Sequence, residues 1–86
     1  MDENLYALLC SEYSDCSLSA TVRHYRGLKT AQEAMQKAYE IAKDAWNVPD
    51  DSSEFTDDNY VKSDDVSIYI RDGSDEIRWE IVKVEV

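Results

Sequence analysis

A single segment of this 86-residue chain has the apolar spacing of an amphipathic helix, and this segment limits the possible folds more than any other feature. Thr30 and Glu33 have the spacing of a capping box, and Pro49 disfavours helical backbone at the residue before it. The pattern therefore predicts one helix over residues 31–47. Its apolar stripe is formed by Ala31, Ala34, Met35, Ala38, Ile41, Ala42, Ala45 and Trp46.

The segments on both sides of this helix have the patterns of strands. Residues 5–10 form a short apolar run, and residues 20–25 alternate weakly, as an edge strand or an extended lead-in to the helix. Apolar positions also alternate on both sides of turn residues at 72–75, which predicts a terminal hairpin. A change of parity near residue 81 predicts either a β-bulge or a strand buried on both faces.

One helix can cover only one face of a sheet, so the predicted fold class is α+β. We expect one amphipathic helix packed on a three- to four-stranded, mainly antiparallel sheet, in the order β-(β)-α-β-β. Residues 1–86 are expected to form a single domain with one modest core.

The face of the sheet that the helix leaves open is a candidate interface. It either binds a partner or lies beneath residues 11–19 and 50–65. Its predicted residues are Tyr6, Leu8, Tyr69 and Trp79.

The charge of the chain is strongly negative, with 19 acidic and 9 basic residues and a net charge of −10. Such a surface repels nucleic acid and anionic membranes and attracts basic proteins. Residues 50–65 hold seven of the acids and one base, and they form either a solvated loop or a binding segment. The predicted partner-binding residues are Asp50, Asp51, Glu54, Phe55, Asp57, Asp58, Tyr60, Asp64 and Asp65.

No group of residues in the sequence has the pattern of a catalytic or metal site. The one histidine, His24, lies in a locally basic stretch, and no strand–turn–helix elbow surrounds any serine or cysteine. Two cysteines and one histidine lack zinc-ligand spacing, and residues 50–65 contain no glycine for an EF-hand loop. We expect no enzyme activity, no metal and no cofactor, and a small enzyme or metal-dependent module is the least favoured alternative.

The first residues of the sequence predict a cytoplasmic protein. Met1 is followed by Asp2, Glu3 and Asn4 in place of basic residues, and the apolar run at 5–10 is too short for a signal peptide or a membrane span. Two cysteines do not make a disulfide framework, which agrees with a reducing compartment.

Two segments have a layout that is seen elsewhere. One is the approach to an alanine-rich helix, Tyr25 followed by Leu28-Lys29-Thr30-Ala31-Gln32-Glu33-Ala34; the other is a terminal hairpin that closes on Trp79-Glu80-Ile81. In this layout the chain resembles small orphan proteins encoded by bacteriophages and prophages. The resemblance implies a role in a bacterial host cell, since such proteins include anti-CRISPR inhibitors and acidic DNA mimics such as the phage uracil-DNA glycosylase inhibitor.

These observations together predict a protein-binding inhibitor. The carboxylates of residues 50–65 would mimic phosphates and occupy the basic groove of a nucleic-acid-binding host defence protein, such as a CRISPR effector. The alternative is a phage accessory or structural protein that self-associates through the open aromatic sheet face. Both a monomer and a homodimer agree with the sequence.

Overall fold

The computed structural model describes residues 4–49 and 51–84. All neighbouring strands are antiparallel, and their order across the sheet is β2-β1-β5-β4-β3. The predicted α+β class with one helix is confirmed, but three to four strands is wrong, because the sheet has five and the order is β-β-α-β-β-β. The elements are β1 (Leu5–Ser14), β2 (Ser17–Arg26), α1 (Leu28–Ala45), a 3-10 turn (Ser52–Glu54), β3 (Asn59–Asp64), β4 (Ser67–Asp72) and β5 (Asp75–Lys83).

The first two strands form a long hairpin that was not predicted. β1 and β2 pair over ten residues each and are joined by a two-residue turn, Asp15 and Cys16. Both turn residues have positive φ, 52° and 62°, as a tight hairpin turn of this length requires. Residues 11–19 therefore continue the two strands and do not fold across the sheet as a loop. The turn was missed because it contains neither glycine nor proline.

The helix begins earlier than the capping-box spacing predicts. α1 starts at Leu28 with Gly27 as its N-cap, and no side chain caps its first turn, so Thr30 lies inside the helix. Gly27 has a φ of 86°, which glycine adopts without steric cost, and its N–H donates to the carbonyl of Asn4 at 2.9 Å. This bond ties the start of the helix to the start of β1. The helix ends at Ala45, where Trp46 takes extended backbone.

The core lies between α1 and one side of the sheet, which we call the helix side. From the helix, Ala31 and Met35 are buried, whereas Ile41 and Ala45 of the predicted stripe are exposed. Tyr39 packs against this core instead and makes an edge-to-face contact with Trp79, with ring centroids 6.2 Å apart. The buried strand residues of this core are Leu8, Ile68, Ile70, Ile77, Trp79 and Ile81.

The last strand alternates between the two sides of the sheet without interruption. Ile77, Trp79 and Ile81 lie on the helix side, and Val82 lies on the opposite side, which we call the open side. The register with β1 is continuous from Glu76 to Lys83, so the change of parity produces no bulge there. Val82 remains 43% exposed, so burial on both faces does not explain the pattern either.

Candidate protein-binding site

The acidic segment predicted at residues 50–65 does not form one surface. Asp57 and Asp58 come directly before β3, and Asp64 is the last residue of that strand. Asp64 lies six positions along the chain from Asp58, a span of about 20 Å in a strand. Asp50 lies outside the described residues. The predicted binding residues therefore divide into two groups at opposite ends of β3.

Carboxylates from other segments join Asp57 and Asp58 at one end of the sheet. Asn59 pairs with Asp72, Asp72 pairs with Asp75 across the terminal hairpin turn, and Glu76 pairs with Tyr13 of β1. The turn between β1 and β2 lies at this same end because antiparallel strands alternate in direction. We call this group the acidic end. It contains Glu12, Asp15, Asp57, Asp58, Asp72, Asp75 and Glu76.

Hydrogen bonds to the backbone hold the acidic end in place. The Gly73 N–H of the hairpin turn donates to the carbonyl of Asp58 at 2.6 Å. The side-chain amide of Asn59 donates to the carbonyls of Asn47 and Arg71, at 2.8 and 3.1 Å. These bonds join the hairpin turn, the start of β3 and the segment after α1, so the carboxylates project from a fixed framework.

The remaining residues of the predicted segment lie beside the acidic end or support local turns. Asp51 caps the 3-10 turn, since its Oδ1 accepts from the Ser53 N–H at 3.0 Å, and Glu54 is exposed on that turn. Phe55 and Tyr60 are half-buried and line a shallow groove next to β3 together with Asp57. These two rings thus lie at the border of the acidic end.

At the opposite end of β3, Asp64 has a structural role in the turn to β4. Its carboxylate accepts from the Val66 N–H at 2.9 Å and from the Ser67 hydroxyl at 3.0 Å. These hydrogen bonds lower the pKa of the Asp64 carboxyl below its ordinary value. Asp65 is exposed in the same turn, and its carbonyl accepts from the side chain of Gln32 at 3.0 Å. We therefore place neither residue in the candidate site.

The second predicted interface is not one surface either. Trp79 is only 3% exposed and belongs to the core on the helix side, and Tyr6 and Leu8 pack with that core. Tyr69, between the buried Ile68 and Ile70, lies on the open side. Placing Trp79 and Tyr6 on the same open face as Tyr69 was wrong, because strand side chains alternate and the helix covers the other parity.

Tyr69 belongs to a layer of rings and charges on the open side of β3, β4 and β5. Its hydroxyl donates to Glu76 Oε2 at 2.7 Å, and its ring contacts the Tyr60 ring, with centroids 5.9 Å apart. The Arg78 guanidinium lies 5.3 Å from the Tyr69 centroid, and Lys62 Nζ lies 5.4 Å from that of Tyr60. Burial and the bond to Glu76 raise the pKa of Tyr69. These rings already have cationic partners within the chain.

The open side of β1, β2 and the end of β5 carries exposed apolar side chains. Residues 11–19 form part of this surface, and residues 51–65 lie toward the far edge of the sheet, so neither segment covers it. The sequence pattern missed this surface because β2 was not identified as a full strand. It holds five of the seven exposed large apolar side chains of the described residues, namely Leu9, Tyr13, Leu18, Val22 and Val82.

The groups with reactive chemistry stand apart from one another. His24 is exposed on β2, Cys16 is exposed in the first turn, and Cys10 is partly buried. Burial, followed by the charge of Glu12, raises the pKa of the Cys10 thiol, which disfavours the nucleophilic thiolate. Within residues 4–49 and 51–84, no three side chains of His, Cys, Asp or Glu are grouped to hold a metal ion.

The helical part of the structure gives one further result. In the portion of the chain that the structure describes, no helix is long and apolar enough to cross a membrane.

Comparisons with protein-family models, with curated proteins and with solved structures give no match to this chain.

Proposed function

We propose that this protein binds a basic partner protein through its acidic end and blocks a surface that the partner uses for nucleic acid. The observation that carries the proposal is the convergence of seven carboxylates from distant parts of the sequence at one end of the sheet. Carboxylates on a fixed framework can replace the phosphates that a basic groove binds, and their approach is favoured by the same release of counterions.

Solubility alone does not account for this arrangement. Charge keeps a protein soluble wherever it lies on the surface, whereas grouping like charges costs free energy through repulsion. The opposite end of the sheet carries both signs, with Arg26, Lys29 and Lys83 beside Asp64 and Asp65. A basic partner is therefore attracted most strongly to the acidic end.

The resemblance to phage and prophage proteins supplies the class of partner to test. A nuclease of the CRISPR type in the cytoplasm of a bacterial host has arginine-rich grooves for guide and target strands. The proposed role is an inhibitor of such a protein, without enzymatic activity, cofactor or direct binding to nucleic acid.

The proposal is tested by displacement of a labelled target DNA from a panel of guide-loaded CRISPR effectors. We expect the protein to compete with the DNA for one of them, with competition that weakens as salt rises. The triple variant Asp57→Asn, Asp58→Asn and Asp75→Asn should compete at least about tenfold less well, because each change removes a charge facing the groove.

A matched control carries three charge removals away from the acidic end: Glu33→Gln, Glu40→Gln and Asp65→Asn. All three residues are exposed, and the change in net charge is the same. We expect this variant to compete almost as well as the unmodified protein. Equal losses in the two triple variants would show that total charge decides binding and would contradict the proposal, as would failure of excess protein to displace DNA from any effector.

A further inference from the structure

β2 is exposed to an extent that is unusual for a strand in a folded sheet. Every residue of Ser17–Arg26 except Tyr25 is exposed, so most of the strand lacks cover on either side. Two of its apolar side chains on the open side, Leu18 and Val22, are 72% and 49% exposed. A ten-residue strand that is exposed over most of its length is a surface that a partner would stabilise.

The outer edge of β2 is also unprotected. The strand is terminal in the sheet, its pairing with β1 runs without a bulge over ten residues, and it contains no proline. The hydrogen bond from the Gly27 N–H to the Asn4 carbonyl fixes the direction of the backbone groups in β2. The N–H and C=O groups of its odd-numbered residues point toward β1. The N–H and C=O groups of Leu18, Ala20 and Val22 therefore point outward, as in a template for a further strand.

The charges on β2 favour pairing with a particular kind of partner strand. In a chain of net charge −10, this strand has no acidic residue. Arg26 is its last residue, and the Asp15 turn lies beyond its N-terminal end. A second β2 laid antiparallel places Arg26 of each copy toward the acidic turn of the other, whereas Arg23 lies near the middle of the pair. The two copies are thus complementary at both ends of this edge, although they repel elsewhere.

We propose that two copies of this chain associate by antiparallel pairing of their β2 strands about a two-fold axis. An axis perpendicular to the sheet keeps both helices on one side and joins the exposed apolar surfaces into one strip across the dimer. The axis passes close to Val22, whose side chain then packs against its counterpart. The two acidic ends face away from each other and stay accessible, so this inference goes beyond the proposed function and does not depend on it.

The test is the mass of the protein in solution, measured by sedimentation velocity from low micromolar to submillimolar concentration. We expect the unmodified protein to reach the mass of two chains. Val22→Pro removes an outward N–H that the single chain does not use, and Val22→Lys adds a charge where two copies meet. Both variants should remain monomers at every concentration, with far-ultraviolet circular dichroism confirming the fold. If the proline variant does not fold, the lysine variant alone tests the proposal. Position 22 is half exposed, so the folded single chain accommodates a lysine there.

Two controls separate edge pairing from other forms of association. Val66→Lys makes the same change at a 39% exposed position in the turn between β3 and β4, far from β2. Val82→Lys places the charge on the open side of β5, where it would disrupt stacking of two open faces. Both should dimerise like the unmodified protein. A protein that is monomeric throughout, a dimer that survives both Val22 variants, or loss of the dimer in Val82→Lys would each overturn the proposal.

Discussion

The two sides of the sheet are built from the same strands but are stabilised by different interactions. On β5, Ile77, Trp79 and Ile81 are buried against the helix, whereas Arg78 and Glu80 between them are exposed. The helix side is stabilised by removal of apolar surface from water, which is proportional to the area buried. The open side is held by ring contacts, cation–π contacts and hydrogen bonds near the surface, each of which contributes little to stability.

This difference predicts where a substitution changes stability and where it changes binding. A buried side chain on the helix side has core atoms on all sides, so its truncation leaves a cavity. A side chain on the open side loses contacts that water partly replaces. Substitutions on the helix side should therefore change mainly the stability of the fold. Substitutions on the open side, at the β2 edge or at the acidic end should change mainly association.

The largest expected effect is that of Trp79→Ala. Trp79 is buried and contacts the Tyr39 ring, so its truncation should lower the free energy of unfolding by about 3–5 kcal/mol. The neighbouring change Arg78→Ala, on the open side, should cost less than about 1 kcal/mol. Urea denaturation followed by circular dichroism measures both. Similar losses of unfolding free energy in the two variants would contradict the proposed difference between the two sides of the sheet.

A smaller effect is expected where the helix lies against the sheet. Ala31 is fully buried, so Ala31→Leu should destabilise the protein by about 1–3 kcal/mol through overpacking. Ala45 was predicted on the same stripe but is exposed, and Ala45→Leu should change stability by no more than about 0.5 kcal/mol. Thermal unfolding of the two variants tests this distinction. A comparable loss of stability in Ala45→Leu would indicate that Ala45 packs against the sheet, as the apolar spacing of the sequence predicts.

On the open side, Tyr69→Phe should have a modest effect. It removes the 2.7 Å hydrogen bond to Glu76, which is partly exposed, so the expected loss is about 0.5–1 kcal/mol. Tyr13→Phe, on the same side of the sheet, serves as the control and should change stability by less than about 0.5 kcal/mol. Chemical denaturation distinguishes the two. A loss of several kcal/mol in Tyr69→Phe would show that the open side contributes to stability as the core does.

The smallest expected effect concerns pH and Asp64. Because hydrogen bonds lower the pKa of Asp64 in the folded chain, its contribution to stability is complete above the ordinary value, about 3.8. The contribution is lost as pH falls through the lower folded value. Ser67→Ala removes one donor and should move the pKa upward, which a carbon-detected NMR titration of the Asp64 carboxyl measures. An unchanged pKa in Ser67→Ala would contradict the role of this bond.

The parts of the fold that were predictable have signals within a few residues. The helix follows from apolar spacing, although its start was misplaced because Gly27 caps it and Thr30 does not. The terminal hairpin follows from its turn chemistry, and its two-residue loop lies between Asp72 and Asp75 as expected. In both cases the local preference and the final packing agree.

The parts that were not predictable depend on exposure and on distant pairing. β2 has no buried face, so it lacks the strict alternation that identifies a half-buried strand. β3 is a short edge strand that includes Asn59, Ser63 and Asp64, residues that favour turns. The acidic end exists only because strand register brings Glu12 and Asp15 beside the terminal hairpin, and no local pattern records that register.

The two cysteines offer a practical consequence of the β1–β2 turn. Cys16 is exposed at its tip, next to Asp15, while Cys10 is sheltered and its thiolate is disfavoured. A maleimide dye will therefore attach to the tip in preference to the sheet interior. The chain thus provides its own reporter position at the acidic end, where a change in fluorescence would register an arriving partner while every carboxylate stays intact.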